Sequence, residues 1–394
     1  MKSRILVLII ISLVEFTLFA SDTISSGFSA PLKWRVGVDV SAGWVPGTCA
    51  FIRGDNPSMS QINSTVAGDA RVDFSFNPQS RQGVLYKGLY QGIGIGANSF
   101  FHSNTLGTPI SVYAFQGTPF AKVGNNVWLG YEWQFGAAFG WKAYCEQSTD
   151  NAAPVSTYAT AHMGIAAKLH YSLSERWEIN AGVILKHYSN GNTSFPNRGV
   201  NSLGAVVGIA YNLNTVEKSE QYSNNSLIEE ADKGKWMFDI MAFGAWRKRV
   251  LVIDNSPTIL PGKFGVLGMQ FSTLRKLNRY VDVGPAIDIM WDESADLAPN
   301  WVEGSYGENI LFRRPIFGNQ ISVGASAHAE LTMPIFTLNV GLGYDFIKPN
   351  GERRFYQSLT LKTFITHSVY LNVGYRLARF QDPQNLMLGI GVRL

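Results

Sequence analysis

Trp177-Glu178-Ile179-Asn180-Ala181-Gly182-Val183-Ile184-Leu185-Lys186-His187-Tyr188-Ser189-Asn190 is the stretch that decides the fold. Successive side chains of an extended strand point to opposite faces, so it divides into two sets. Ile179, Ala181, Val183, Leu185, His187 and Ser189 share one face, and Asn180, Gly182, Ile184, Lys186 and Tyr188 share the other. The first set is apolar up to its last two members, while the second contains an amide and an ammonium. Apolar residues toward lipid and polar ones toward a lumen is the arrangement of a transmembrane β-barrel. His187 and Ser189 then lie on the lipid side near the external end of the strand, level with the outer leaflet.

The same period-two alternation, bounded by turn residues, recurs from residue 33 to the end of the chain. It predicts strands over about 34–47, 66–78, 83–101, 108–122, 126–144, 156–173, 177–190 and 200–213. A second series follows over about 235–249, 263–275, 279–292, 319–333, 335–346, 355–367, 369–381 and 385–394. The chain opens on Met1-Lys2-Ser3-Arg4 and an apolar run ending at Phe19-Ala20-Ser21, the form of a secretory signal peptide cut after Ala20. Delivery to the periplasm makes the first strand run outward. The connections then sort into short periplasmic turns, such as Gly124-Asn125-Asn126 and Ser174-Glu175-Arg176, and long external loops at 48–65, 145–155 and 293–318. The closing Gly391-Val392-Arg393-Leu394 resembles the terminal strand of outer-membrane proteins, although an aromatic last residue is commoner there.

Composition agrees. The chain is 46% hydrophobic and 16% charged with 39 glycines, against a usual charged share of about 25%. A secreted chain poor in charge but without further long apolar runs suits a barrel in the bacterial outer membrane. A net charge of +4 is too small and too dispersed to argue for a nucleic-acid partner. Two cysteines, Cys49 and Cys145, exclude a disulfide-dense scaffold; both fall in loops expected on the same side, so one bridge and two free thiols both stay open.

The charged stretch 214–234 is poor in β-formers and reads as a periplasmic linker between a unit at 21–213 and another at 235–394, with 1–20 as the signal peptide. The two units resemble degenerate copies. Each opens on Lys-Trp (Lys33-Trp34, Lys235-Trp236), and each penultimate strand carries Asn-x-Gly (Asn180 to Gly182, Asn372 to Gly374). The expected class is therefore all-β: an antiparallel transmembrane barrel of tandem eight-stranded units. Eight strands can close alone, so one large barrel of about sixteen strands and two small ones are both compatible with the sequence.

A His and a Ser facing lipid are expensive unless they have work to do there. Two residues apart on one face, His187 and Ser189 are neighbours, near enough for the imidazole to take the hydroxyl proton, as the base and nucleophile of a serine esterase do. The run His187-Tyr188-Ser189-Asn190-Gly191, followed by Pro196-Asn197-Arg198-Gly199, resembles the motif of the lipid A 3-O-deacylase (PagL-type) family, also called acyloxyacyl hydrolases. The resemblance extends over about 33–213. It implies an outer-membrane barrel that hydrolyses an ester-linked acyl chain of lipid A on its outer wall. His187 would then be the general base, Ser189 the nucleophile and Asn190 an oxyanion-hole contributor, with outer-leaflet lipopolysaccharide as partner and no cofactor.

The family's orienting Glu corresponds to Asn201, which can hold the imidazole tautomer but cannot stabilise its cation by charge. Arg198, in the adjacent external loop, is a candidate contact for a lipid A phosphate. In the second copy the matching positions are Arg379, Phe380, Gln381 and Asp382, without nucleophile or base. His170-Tyr171-Ser172 repeats the tripeptide at the wrong end of its strand, and His102 and Ser103 are adjacent and would diverge on a strand. No metal-ligand spacing appears. The competing reading is a non-catalytic barrel, a porin or surface-binding protein, that has lost the triad acid.

Overall fold

The computed structural model describes residues 32–78, 80–143, 154–191, 193–214, 233–253, 256–260, 262–278, 280–297, 301–303, 310–312, 315–348, 353–380 and 382–394. The expected signal peptide, Cys145, and all but the ends of the 214–234 linker lie outside these residues. Eight strands, β1 (Lys33–Trp44), β2 (Ser64–Ser75), β3 (Tyr90–Ser99), β4 (Gly107–Lys122), β5 (Val127–Trp141), β6 (Ala159–Ser172), β7 (Trp177–Ser189) and β8 (Val200–Asn212), form an antiparallel barrel. It closes where β1 pairs with β8, Arg35 opposite Asn212 through Trp44 opposite Leu203.

The second half begins with β9 (Trp236–Arg247), a small hairpin of β10 (Val250–Ile253) and β11 (Ser256–Ile259), then β12 (Phe264–Lys276) and β13 (Val281–Asp292). A second small hairpin, β14 (Trp301–Glu303) and β15 (Ile310–Phe312), precedes β16 (Ile321–Thr332), β17 (Phe336–Ile347), β18 (Phe355–Phe364), β19 (Val369–Ala378) and β20 (Asp382–Arg393). The eight long strands of this half close separately, β9 against β20. The open choice is thus settled in favour of two eight-stranded barrels.

Two local expectations need correction. The strand predicted from residue 83 starts at Tyr90. Before it stands a five-residue helix, α1 (Arg81–Leu85), whose first turn is capped by Ser80, with the Gly83 N–H donating to Ser80 Oγ at 3.0 Å; the serine cap outweighs the short apolar alternation that followed it. The hairpin of β14 and β15 lies inside the stretch 293–318 read as a long loop, and that of β10 and β11 fills the interval between two predicted strands.

Each barrel is polar inside and apolar outside. Along β7, Ile179, Val183 and Leu185 are exposed, while Asn180, Ile184, Lys186 and Tyr188 are buried. The first lumen is filled by paired charges, because an unpaired charge in a poorly solvated interior is costly. Arg71 bridges Asp39 and Glu132, reaching the latter at 2.6 Å. Lys168 lies 2.8 Å from Asp39 and 3.2 Å from Glu132, and Tyr90 donates to Glu132 at 3.0 Å. The Gly-x-Gly run of β3 makes room for this filling: a Cβ on Gly94 would lie 2.6 Å from Cε2 of Tyr113.

Above the charges, loop residues Val45, Phe51, Ile52, Phe100 and Leu106 pack with Tyr188 and close the mouth at the end of the long loops. A cavity of about 500 Å³, lined by Lys33, Arg35, Tyr90, Trp128 and Glu178 among others, opens at the end of the short turns. The second lumen repeats the principle: Lys362 meets Asp239 at 2.6 Å, and Arg393 meets Asp239 at 2.7 Å and Glu330 at 2.5 Å. Asn180 and Asn372, paired by the internal repeat, both face inward.

The barrels stand side by side in the same sense. Phe74, Gln91, Gln116 and Trp133 form one cross-strand row on the outward face of β2 to β5. The turn between β16 and β17 covers this row: Gln116 contacts Met333, and Trp133 meets Phe336 edge-on at 5.2 Å between ring centroids. Near the ends with the short turns Tyr280 donates to the carbonyl of Leu85 at 2.7 Å.

Candidate functional site

The site is assembled where β7 runs out into the external loop 190–199 and returns as β8. Ladder pairing places His187 directly opposite Asn201, so both side chains stand on the outward face. The imidazole Nδ1 and Asn201 Oδ1 are 2.6 Å apart. With the amide oxygen accepting, the proton resides on Nδ1, and Nε2 is left with its lone pair, the tautomer a general base needs. Gly199, at φ +68°, lies against the ring: a Cβ there would come within 2.9 Å of His187 Cε1.

Ser189 ends β7 on the same face, 7% exposed beneath the loop. Its hydroxyl bonds to the loop rather than to His187. Asn197 Nδ2 donates to Ser189 Oγ at 3.0 Å, the Gly191 N–H donates to it at 3.1 Å, and Oγ in turn lies 3.3 Å from Asn197 Oδ1. The Asn190 N–H donates to the same Asn197 Oδ1 at 3.0 Å. One asparagine therefore holds both the serine and the turn that follows it.

Asn190, the residue expected to contribute to an oxyanion hole, uses its side chain to brace the turn. Its side-chain amide donates to Ser156 Oγ and to the Ser194 carbonyl, both at 3.0 Å, tying the turn to the neighbouring external loop. Arg198 is exposed and makes no ion pair among the described residues. The structure thus brings together His187, Asn201, Ser189 and the 190–191 turn, and adds Asn197 and Ser156. Asn197 stands in the quoted Pro-Asn-Arg-Gly run, and its position there was the only signal available. Ser156 comes from a distant loop and left none.

The weaker candidates have structural partners. His170 is buried near the end with the short turns, 2.8 Å from Glu178 and stacked on Trp128. His102 lies in the loop after β3, where its Nδ1 is 3.4 Å from Ser58 Oγ. In the second barrel β19 ends at Ala378, and Arg379 and Phe380 form a turn with positive φ. That barrel does bring together Ser326, His328 and Asn339: Nε2 of His328 is 2.8 Å from Ser326 Oγ, and its Nδ1 is 2.8 Å from Asn339 Oδ1. These three face the lumen and are buried, and the serine also bonds Asp288, so an outer-leaflet lipid has no access to them.

Two family models match the chain. "Lipid A 3-O-deacylase (PagL)" covers residues 131–210, which include the whole site, and "Acyloxyacyl hydrolase, C-terminal domain" covers residues 236–394, all of the second barrel. No curated protein matches the chain. Among solved structures, the siderophore receptor PirA from Acinetobacter baumannii is similar at 8% identity and a TM-score of 0.25, over 88% of this chain and 68% of that one. CdiB from the same organism is similar at 13% identity and 0.16, over 92% and 60%. The CymD monoaromatic hydrocarbon channel is similar at 8% and 0.18, over 92% and 87%. At such scores these likenesses carry no argument, and the fold rests on the strand pairing described above. The chain belongs to the lipid A 3-O-deacylase (PagL) and acyloxyacyl hydrolase family, and its barrels lie in the bacterial outer membrane.

Proposed function

We propose that the protein is a serine esterase of the outer leaflet that removes an ester-linked acyl chain from lipid A. The observation that carries this reading is the 2.6 Å bond from His187 to Asn201 on the lipid-facing wall, two residues along the same face from an outward serine held by amide donors. In the proposed step Ser189 turns from Asn197 toward His187 Nε2, gives up its proton and attacks the ester carbonyl. The Gly191 N–H and Asn197 Nδ2, which hold Oγ at 3.1 Å and 3.0 Å at rest, are released when it turns and become available to the oxyanion that forms on the neighbouring carbonyl oxygen. Asn190 serves by shaping the turn that aims the first of them. The alkoxide leaves with the proton from His187, and water activated by the same base releases the fatty acid. Arg198 is free to meet a lipid A phosphate. No cofactor enters the scheme.

Asn201 in place of the family's acid favours the alternative of a non-catalytic barrel. The filled first lumen and closed external mouth support an enzyme wall over a porin. Mass spectrometry of lipid A from cells with and without the protein tests the reading. Loss of one acyl chain that requires both Ser189 and His187 is expected, and each single alanine variant should abolish nearly all release because the two act as a unit. Unchanged lipid A would leave the non-catalytic barrel standing.

A further inference from the structure

The esterase scheme uses only the first barrel, yet the turn after Ser189 is touched twice by the second. Tyr375 lies on the outward face of β19, where a barrel residue ordinarily meets lipid, but is only 8% exposed. It packs against Gly191: a Cβ added to that glycine would run into the tyrosine ring and come within 2.7 Å of its hydroxyl oxygen. Gly191 has φ +64°, and its N–H is the one that reaches Ser189 Oγ. From the loop after β9, the Lys248 N–H donates to the Thr193 carbonyl at 3.3 Å. Thr193 Oγ1 donates in turn to the Asn190 carbonyl at 2.8 Å.

We infer that the second barrel is a buttress for the catalytic turn of the first, with Tyr375 as its positioning residue. The turn consists of short polar residues and glycine, which have little apolar surface of their own to fix them. An oxyanion donor must be held to within about 0.5 Å to be useful, and a displacement of about 1 Å can cost 10²-fold in rate. The ring of Tyr375 and the main chain of Lys248 supply that constraint from outside the first barrel. This explains why a half without nucleophile or base at the matching positions accompanies the half that has both. The inference rests on the esterase reading for its catalytic meaning, but its structural content can be measured without it.

The test uses the full-length protein in lipid vesicles with purified lipid A. Tyr375→Ala is expected to lower kcat about 10-fold or more while KM moves less than about threefold, since the turn serves the transition state more than ground-state binding. Tyr375→Phe, which keeps the ring, should restore the rate. Amide hydrogen exchange over residues 190–194 should quicken about 10-fold or more in Tyr375→Ala. Gly191→Ala should be impaired, and Tyr375→Ala should recover part of that loss by removing the collision, so the two effects should not add. Should Tyr375→Ala unfold the second barrel, the Gly191→Ala variant and the exchange of Tyr375→Phe still decide. Unchanged exchange in Tyr375→Ala, or strictly additive effects of the pair, overturns the buttress. Lipid A untouched by the wild type overturns the esterase reading and leaves the exchange result to judge the buttress alone.

Discussion

His187 and Asn201 face each other across β7 and β8 with the imidazole Nδ1 2.6 Å from the amide oxygen. The amide fixes the tautomer but offers no charge when the ring becomes a cation, and losing that charge in a serine triad costs up to about 10⁴-fold. Asn201→Glu is therefore expected to quicken acyl release by about 10-fold or more, and Asn201→Leu, which frees the ring, to slow it. Near the membrane interface the new charge costs only about 0–1 kcal/mol. Release assays of the three proteins check this; a Glu variant no faster than wild type would mean that another group steadies the imidazolium.

Asn197 performs two tasks through two atoms, and substitutions can separate them. Asn197→Ala should lower kcat by roughly 10²-fold, the usual loss for one oxyanion donor. Asn197→Asp keeps the acceptor for the Asn190 N–H and removes the donor to Ser189. If Nδ2 stabilises the oxyanion, the Asp variant should be as slow as the Ala variant. Recovery in Asp alone would assign Asn197 to holding the turn.

Much of this was legible beforehand, and the reasons are specific. β7 announced both its faces because barrel walls alternate strictly, and the ladder then carried Asn201 to His187 without further assumption. Closure was not legible. Whether β8 pairs with β1 or with β9 depends on contacts between ends of strands far apart in sequence, and both pairings suit the same alternation. Nor was Asn197: a loop has no period, so nothing in the sequence says which of its amides turns back to the serine. Helix α1 was missed because one serine cap decided it.

Glu132 carries the charge balance of the first lumen, since Arg71, Lys168 and Tyr90 all converge on it. Glu132→Leu leaves two buried cations short of a counter-charge, and removing one partner of a buried ion pair costs about 3–5 kcal/mol. Urea unfolding in vesicles should show a loss of that size. A variant within about 1 kcal/mol of wild type would show that water or Asp39 compensates.

The thiol of Cys49 reports on the external loops. It is 5% exposed, and burial pushes it up from the usual thiol range, so less thiolate is present at neutral pH. In a Cys145→Ser background, maleimide applied to intact cells should leave Cys49 unmodified until the protein is denatured. A cysteine at Met59, exposed on the same loop, should react at once when Cys49 is replaced by Ala, and one at Leu277, in a periplasmic turn, should not. Rapid labelling at Leu277 would invert the orientation and put the site in the inner leaflet.

The row of Phe74, Gln91, Gln116 and Trp133 marks where lipid gives way to protein as the neighbour of the first barrel. Between two apolar walls in a bilayer there is no hydrophobic drive to associate, since acyl chains are as oily as leucine. One amide in that row changes the balance: Gln116, whose Nε2 meets Met333 of the second barrel. Turned to hydrocarbon and unpaired, it would cost roughly 2–7 kcal/mol, so a first barrel cut free of its companion would be a poorer solute of the membrane than the pair. The particle that dissolves in the bilayer is the doublet, and its lipid boundary is drawn around both cylinders at once.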